Sequence, residues 1–168
     1  MEFLDVLKER YSVRGYLSKE VEKEKLDKVL DAGLSAPTGV NYQPFKIVVI
    51  DVLKNKDKLK EVYSKSWFVE APIVLAIAVK PDSAFVRKYD GKNIADIDGT
   101  IVMDHIILEA TSLGLGTCYV GAFKPEAAKE LLGLDDSYIP LLFTPLGYPN
   151  AEPVGNGRKS VEELVKFI

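Results

Sequence analysis

The sequence predicts an α+β or α/β sandwich built on one main sheet. Short β-branched runs alternate with segments of helical period. The run Pro72–Val79 is apolar at every position, as a central strand covered on both faces must be. A long segment, Gly99–Leu113, has helical length but almost no polar face, so it needs cover on all sides. In a chain of 168 residues that last feature points to a second subunit. No repeat, low-complexity tract or linker interrupts the chain, so one domain spanning residues 1–168 is expected.

Each element has its own local reason. Phe3, Leu4 and Leu7 space an apolar stripe along a first helix ending near Arg10. Val21, Leu26, Val29, Leu30 and Gly33 mark a second, which must stop before Pro37. Ile47–Val52 reads as a strand, Lys56–Ser64 as a helix and Pro72–Val79 as the central strand. Residues 81–95 are polar and mixed, a loop with some helix. The apolar helix Gly99–Leu113 ends at Gly114-Leu115-Gly116, glycines suited to a left-handed cap. Thr117–Val120 reads as a strand, Lys124–Leu132 as a helix with Pro125 in its first turn, and Tyr138–Tyr148 as holding a last strand. Ser160-Val161-Glu162-Glu163 has the spacing of a capping box and opens a short C-terminal helix.

Composition removes several functional classes. Lys plus Arg is 22 against 25 for Asp plus Glu, a net charge of −3, which argues against non-specific nucleic-acid binding. The single cysteine, Cys118, and single histidine, His105, leave no disulfide and no cysteine- or histidine-rich metal site. His105 on the apolar helix and Cys118 in a core strand read as structural groups rather than as a proton donor and a redox centre. The N-terminal segment is charged and lacks the long apolar stretch of a signal peptide, and Ala71–Val79 is too short to cross a bilayer. A cytoplasmic protein without membrane partners is expected.

Four segments carry chemistry. In Arg10-Tyr11-Ser12-Val13-Arg14, an extended backbone would turn Arg10, Ser12 and Arg14 to one side, where they suit a phosphate or other anion. The same arginines also suit a solvated helix C-terminus. Residues 35–45, SAPTGVNYQPF, place two amides, Asn41 and Gln43, before a strand. Amides match the edge of a heteroaromatic ring, or bond their own turn. Residues 113–123 are small and glycine-rich, so backbone can approach a flat ligand closely, but the spacing is not a dinucleotide fingerprint. Arg158-Lys159 is a basic pair before the last helix.

Taken together, these segments resemble the nitroreductase family of flavin-dependent oxidoreductases. RYSVRGY is similar to that family's R-R-S-[IV]-R-x-[FY] motif, and SAPTGVNYQPFKIVVI to A-P-S-x-x-N-x-Q-P-W-x-[FI]. DIDGTIVMDHIILEATSLGLGTCYVGAF resembles its central helix, G-L-G turn and following strand. PLLFTPLGYPNAEP and GRKSVEELV resemble its last core strand and basic C-terminal segment. The resemblance implies a three-layer α/β/α sandwich with a mostly antiparallel sheet, and an obligate homodimer with a buried central helix and FMN at the interface.

It also implies roles. Arg10 and Ser12 would hold the FMN phosphate, joined by Arg158 and Lys159; Arg14 would face the pyrimidine side. Asn41 and Gln43, with Pro37 and Thr38 beside them, would meet the ring from the partner subunit. Tyr119, Val120 and Gly121 would pass close to the ring. Tyr11 completes the cofactor set, standing where the family often has Arg or His. NADH or NADPH would reduce the flavin, and a nitroaromatic, quinone or related acceptor would reoxidise it by a ping-pong mechanism. The flavin does the chemistry, so no catalytic side chain is named. A flavin carrier or sensor without turnover, and a specialised dehalogenating or azoline-oxidising member, stay open as alternatives. Phe45 replaces a common tryptophan, Gly121-Ala122 replaces the Glu-Gly of some members, and residues 81–95 are where pocket-covering helices are expected to be missing.

Overall fold

The computed structural model describes residues 2–155 and 157–168. Its helices are α1 (Phe3–Glu9), α2 (Lys23–Leu34), α3 (Val52–Val62), α4 (Ala95–Ser112), α5 (Pro125–Leu132) and α6 (Val161–Leu164). Its strands are β1 (Phe45–Asp51), β2 (Ile73–Val79) and β3 (Ile139–Leu146), in the order β1-β2-β3 and antiparallel throughout. β2 is the central strand, and Val74 to Val79 have no measurable exposure. Pairing of β2 with β3 shifts between Ile77 and Ala78, which face Leu142 and Pro140. Proline offers no N–H to a ladder, so the irregularity falls beside it.

The sheet is packed on both faces. On one, α2 and α4 cover Leu75, Ile77 and Val79 with Val29, Val102, Met103 and Ile106. On the other, α3, α5 and the 3-10 turn Ser66–Val69 bury Leu59, Phe68, Val74, Ala76 and Phe143. The two faces alternate along β2 as strand geometry requires. The result is a three-layer α/β/α arrangement.

Several boundaries differ from expectation. α4 begins at Ala95, four residues before Gly99, because Asn93 Oδ1 accepts the Ala95 N–H at its start. α3 begins at Val52, not Lys56, because the Asp51 carboxylate caps it by accepting the Lys54 N–H at 3.2 Å. Residues 81–95 contain a 3-10 turn at Pro81–Ser83 and a Val86–Asn93 bridge, but no α-helix before Ala95. Thr117–Val120 is not a continuous strand. Gly116 and Val120 pair antiparallel with Gly147 and Phe143, while Thr117 pairs in parallel with Ser12. The segment is spliced into the sheet by single bridges, since the Cys118 N–H goes to the Thr144 hydroxyl instead of a strand carbonyl. Gly114 adopts the expected left-handed conformation after α4 (φ +74°), which lets the Leu115 N–H reach back to Ala110.

One apolar face of the chain is not covered. Phe3, Leu4 and Leu34 are each more than 60% exposed, and a groove of about 460 Å³ between α1, α2 and α4 is lined by Phe3, Val6, Ala32, His105 and Leu108. Beyond Ala151 every described residue is exposed, including Val154, Leu164 and Phe167. Within that segment the Val165 N–H donates to the Val161 carbonyl, and the N-terminus of α6 is closed by the Ser160 N–H donating to Glu163 at 3.0 Å. Among the described residues no helix is long and apolar enough to cross a membrane.

Candidate functional site

The segment after α1 leaves the helix in extended conformation at Arg10 (φ −63°, ψ 125°). It then lies beside residue 117, with the Val13 N–H donating to the Thr117 carbonyl at 2.9 Å. Extended backbone alternates its side chains. Val13 goes inward and is 2% exposed, while Ser12 and Arg14 stay outside. Tyr11 shares the inward side of Val13, and its hydroxyl donates to the Ala151 carbonyl at 2.8 Å. Tyr11 is therefore committed to pinning the chain after β3, and its side chain does not join the outward set. Tyr16 closes the segment, its buried hydroxyl donating to the Val13 carbonyl and its N–H to Glu70.

The outward side is cationic and meets residues 117–121. Burial pushes the Cys118 thiol up, and Arg14 and Ser12 are near enough to oppose that shift. Burial also pushes the Tyr119 phenol up to about 12, with Asp104 adding to the shift and Arg10 opposing it. Tyr119 thus stays protonated and donates to the Thr100 carbonyl at 3.3 Å. Among the described residues, neither Arg10 nor Arg14 forms an ion pair. Two unpaired guanidinium groups flanking a hydroxyl are a donor set for phosphate oxygens. Val120 uses its N–H and C=O on Phe143 and buries its side chain, so it offers a ring ligand nothing but proximity. The Tyr119 and Gly121 N–H groups find no partner among the described residues. A Cβ at Gly121 would meet nothing closer than Leu142 at 3.7 Å, so the backbone there is open to a flat group.

The second cluster is the loop before β1. Pro37 is exposed, and Thr38 is half-buried and closes the loop, its hydroxyl accepting the Gln43 N–H at 3.0 Å. Gln43 Nε2 donates to Asn41 Oδ1 and to the Asn41 carbonyl, at 3.2 and 3.3 Å. The Asn41 amide donors and the Gln43 Oε1 acceptor are left for a ligand. Val40, Asn41 and Gln43 all have positive φ, between 51° and 57°. A β-branched residue there is a genuine outlier, and the left-handed region costs about 1–2 kcal/mol for an ordinary side chain. Asn tolerates that region, and Val40 is 65% exposed. Val40→Asn is therefore expected to raise stability by about 1 kcal/mol in denaturant titration at fixed protein concentration.

Among the described residues no hydrogen bond or ion pair joins residues 37–43 to residues 10–14 or 117–121. Arg158 and Lys159 lie on the exposed C-terminal segment. Tyr148, at the end of the last strand, is half-buried and held by charged neighbours. Its hydroxyl donates to Glu22 and accepts from Lys25, and Lys19 sits 3.7 Å from its ring. His105 fits its structural reading, bonded through Nδ1 to the Ile101 carbonyl at 3.0 Å, and Cys118 is buried.

This arrangement has counterparts. The family model described as the Nitroreductase family matches residues 7–82 and 54–148, which take in both clusters and the sheet between them. The chain belongs to the nitroreductase family. It is 34% identical over 158 residues to a Methanothermobacter thermautotrophicus protein provisionally named NADH dehydrogenase/NAD(P)H nitroreductase, covering 91% of this chain and 80% of that one. It is 27% identical to the Bacillus subtilis FMN reductase [NAD(P)H], covering 88% of this chain and 66% of that one. Among solved structures, a nitroreductase family protein of Clostridium difficile superposes with a TM-score of 0.91 at 36% identity, over 99% of this chain and 98% of that one. The nitroreductase fold thus accounts for the sheet and its helical layers.

One residue of the nitroreductase chain escaped the sequence reading. Asp98, in the first turns of α4, is 1% exposed and accepts the Gly39 N–H at 2.9 Å. The signal was present: Asp98 lies one turn from Ala95 and Val102 on the buried face, where a charge has to be accounted for.

Proposed function

We propose that this chain is an FMN-dependent NAD(P)H oxidoreductase acting as a homodimer of one-domain subunits. The observation that carries this reading is the set Arg10, Ser12 and Arg14, free of ion pairs among the described residues, beside the open backbone of residues 119–121. Arg10 and Ser12 bind the FMN phosphate. Arg14 faces the pyrimidine side, where a cation favours the reduced, anionic cofactor. The Tyr119 and Gly121 N–H groups meet the ring edge. Asn41 and Gln43, with Pro37 and Thr38, come from the second subunit; within one chain no hydrogen bond among the described residues joins them to the arginine cluster. The uncovered face of α1, α2 and α4, carrying Phe3, Leu4 and Leu34, is the surface on which the subunits meet. The exposed segment after Ala151 reaches the partner and brings Arg158 and Lys159 toward the phosphate.

Bound FMN supplies the centre that takes hydride from NAD(P)H and passes electrons to the acceptor. Nitroaromatics and quinones are the acceptors we assign, entering after the oxidised nicotinamide leaves. The chain's part is to bind, orient and tune. The absence of a side chain at Gly121 leaves this position without a proton donor of its own.

Absorbance spectroscopy tests the reading. Purified protein, supplied with FMN, is expected to hold a flavin spectrum that bleaches under anaerobic NADH or NADPH. A colourless protein that fails to bind added FMN would overturn it. Arg14→Ala is expected to lower the two-electron flavin potential by roughly 30 mV, corresponding to about 1.4 kcal/mol of lost stabilisation of the reduced form. An unchanged potential would remove Arg14 from the ring.

A further inference from the structure

Asp98 is the only charged residue among the buried polar residues described, the others being Thr117 and Thr144. Its Oδ1 accepts the Gly39 N–H, and its Oδ2 is buried with no partner. Among the described residues no lysine or arginine pairs with it. An unpaired buried carboxylate is a poor stabiliser, and an apolar side chain of similar size usually serves a core better. The loop that Asp98 holds is also the most strained part of the backbone, with Val40, Asn41 and Gln43 all left-handed. Such conformations persist only where their surroundings over-determine them.

Gly39 is where that constraint enters. A Cβ there would lie 2.5 Å from Ile94 Cδ1 and 2.9 Å from Phe85 Cβ, so the backbone is pressed flat against residues 85 and 94. The Asp98 carboxylate then fixes its N–H, one residue before the left-handed run begins. On the far side, the Thr38 hydroxyl bonds the Gln43 N–H. These two bonds clamp the turn from both ends, and the turn carries both amides.

We infer that Asp98 is a positioning residue for flavin-ring binding: its carboxylate anchors Gly39 and thereby aims Asn41 and Gln43. The inference rests on the FMN reading above. It predicts that loss of the carboxylate costs ligand geometry without costing fold stability.

The test uses the full chain with Asp98→Leu, Asp98→Ala as a second variant, Asp98→Asn as the conservative one, and Asn41→Ala. Kd for FMN is read by flavin fluorescence, and loop order by amide hydrogen exchange of the flavin-free protein. Asp98→Leu is expected to keep the wild-type Tm or raise it, while weakening FMN about tenfold. Exchange should quicken at residues 39–43 and stay unchanged in α4. Asp98→Asn, which keeps an acceptor, should bind FMN within about threefold of wild type. Asp98→Leu combined with Asn41→Ala should bind little worse than Asp98→Leu alone, because both remove the same contact. Should Asp98→Leu not fold, Asp98→Ala is held to the same values.

Unchanged exchange at residues 39–43 would overturn the inference even in a protein that binds FMN. So would full multiplication of the two single effects, or Asp98→Asn as weak as Asp98→Leu. A wild-type protein that does not bind FMN would instead overturn the functional reading, and exchange alone would then decide whether Asp98 orders the loop.

Discussion

Arg10→Ala is expected to raise the Kd for FMN by about 10- to 100-fold. A hydrogen bond to a charged partner is worth roughly 1.5–3 kcal/mol, and removal of the guanidinium leaves a phosphate oxygen without its donor. Arg10 is set at the end of α1 by its extended backbone, near the Tyr119 hydroxyl and with no carboxylate paired to it among the described residues. Equilibrium titration by flavin fluorescence checks this. Lys8→Ala, on the exposed last turn of the same helix, is the charge-matched control and should leave Kd within about twofold. Equal effects from both would reduce Arg10 to a general electrostatic contribution and sink its phosphate assignment.

Phe143→Ala is expected to cost about 3–5 kcal/mol of folding stability, a large share of what a domain of this size commands. Phe143 has no exposure and lies edge-on to Phe68 and Phe123, with ring centroids 6.3 and 4.9 Å away. Its N–H and C=O also form the bridge that holds Val120. A cavity at this point therefore loosens the strip of backbone from residue 116 to 121 as well as the core beneath it. Denaturant unfolding at fixed protein concentration measures the first effect and FMN titration the second. Loss of stability with flavin affinity intact would mean that the strip is held from the Ser12 side alone.

Most of this architecture was legible in the sequence because it rests on periodicity. β2 is apolar at every position and proved central; α2 carries its stripe through Val29; Gly114 takes the left-handed cap. What escaped depends on contacts made across the fold. The start of α3 turns on an Asp51 side chain bending forward to Lys54, and the start of α4 on Asn93. Residues 117–120 have strand-like composition, but their pairing is set by where Ser12 and Thr144 fall in space. The same holds for the site. Alternation is enough to expose Ser12 and Arg14 on either side of the buried Val13, whereas the partner of the Tyr11 hydroxyl lies 140 residues away and has no local signature. Asp98 reads as one more acidic residue near a helix start until its neighbours are known.

The bridge between Ser12 and Thr117 joins two segments 105 residues apart in sequence. Closing so large a loop is entropically expensive, and contacts of that sequence separation slow folding relative to local ones. The strip at residues 116–120 also leans on β3, so its platform has to form before residues 10–14 have an edge to join. The face that carries Ser12 and Arg14 is thus a late product of folding, assembled by pairings of long sequence separation, Ser12 with Thr117 and Tyr16 with Pro149. On the FMN assignment proposed above, a nascent or partly folded chain has no such face to offer a free nucleotide, and flavin capture waits on a finished subunit and its partner.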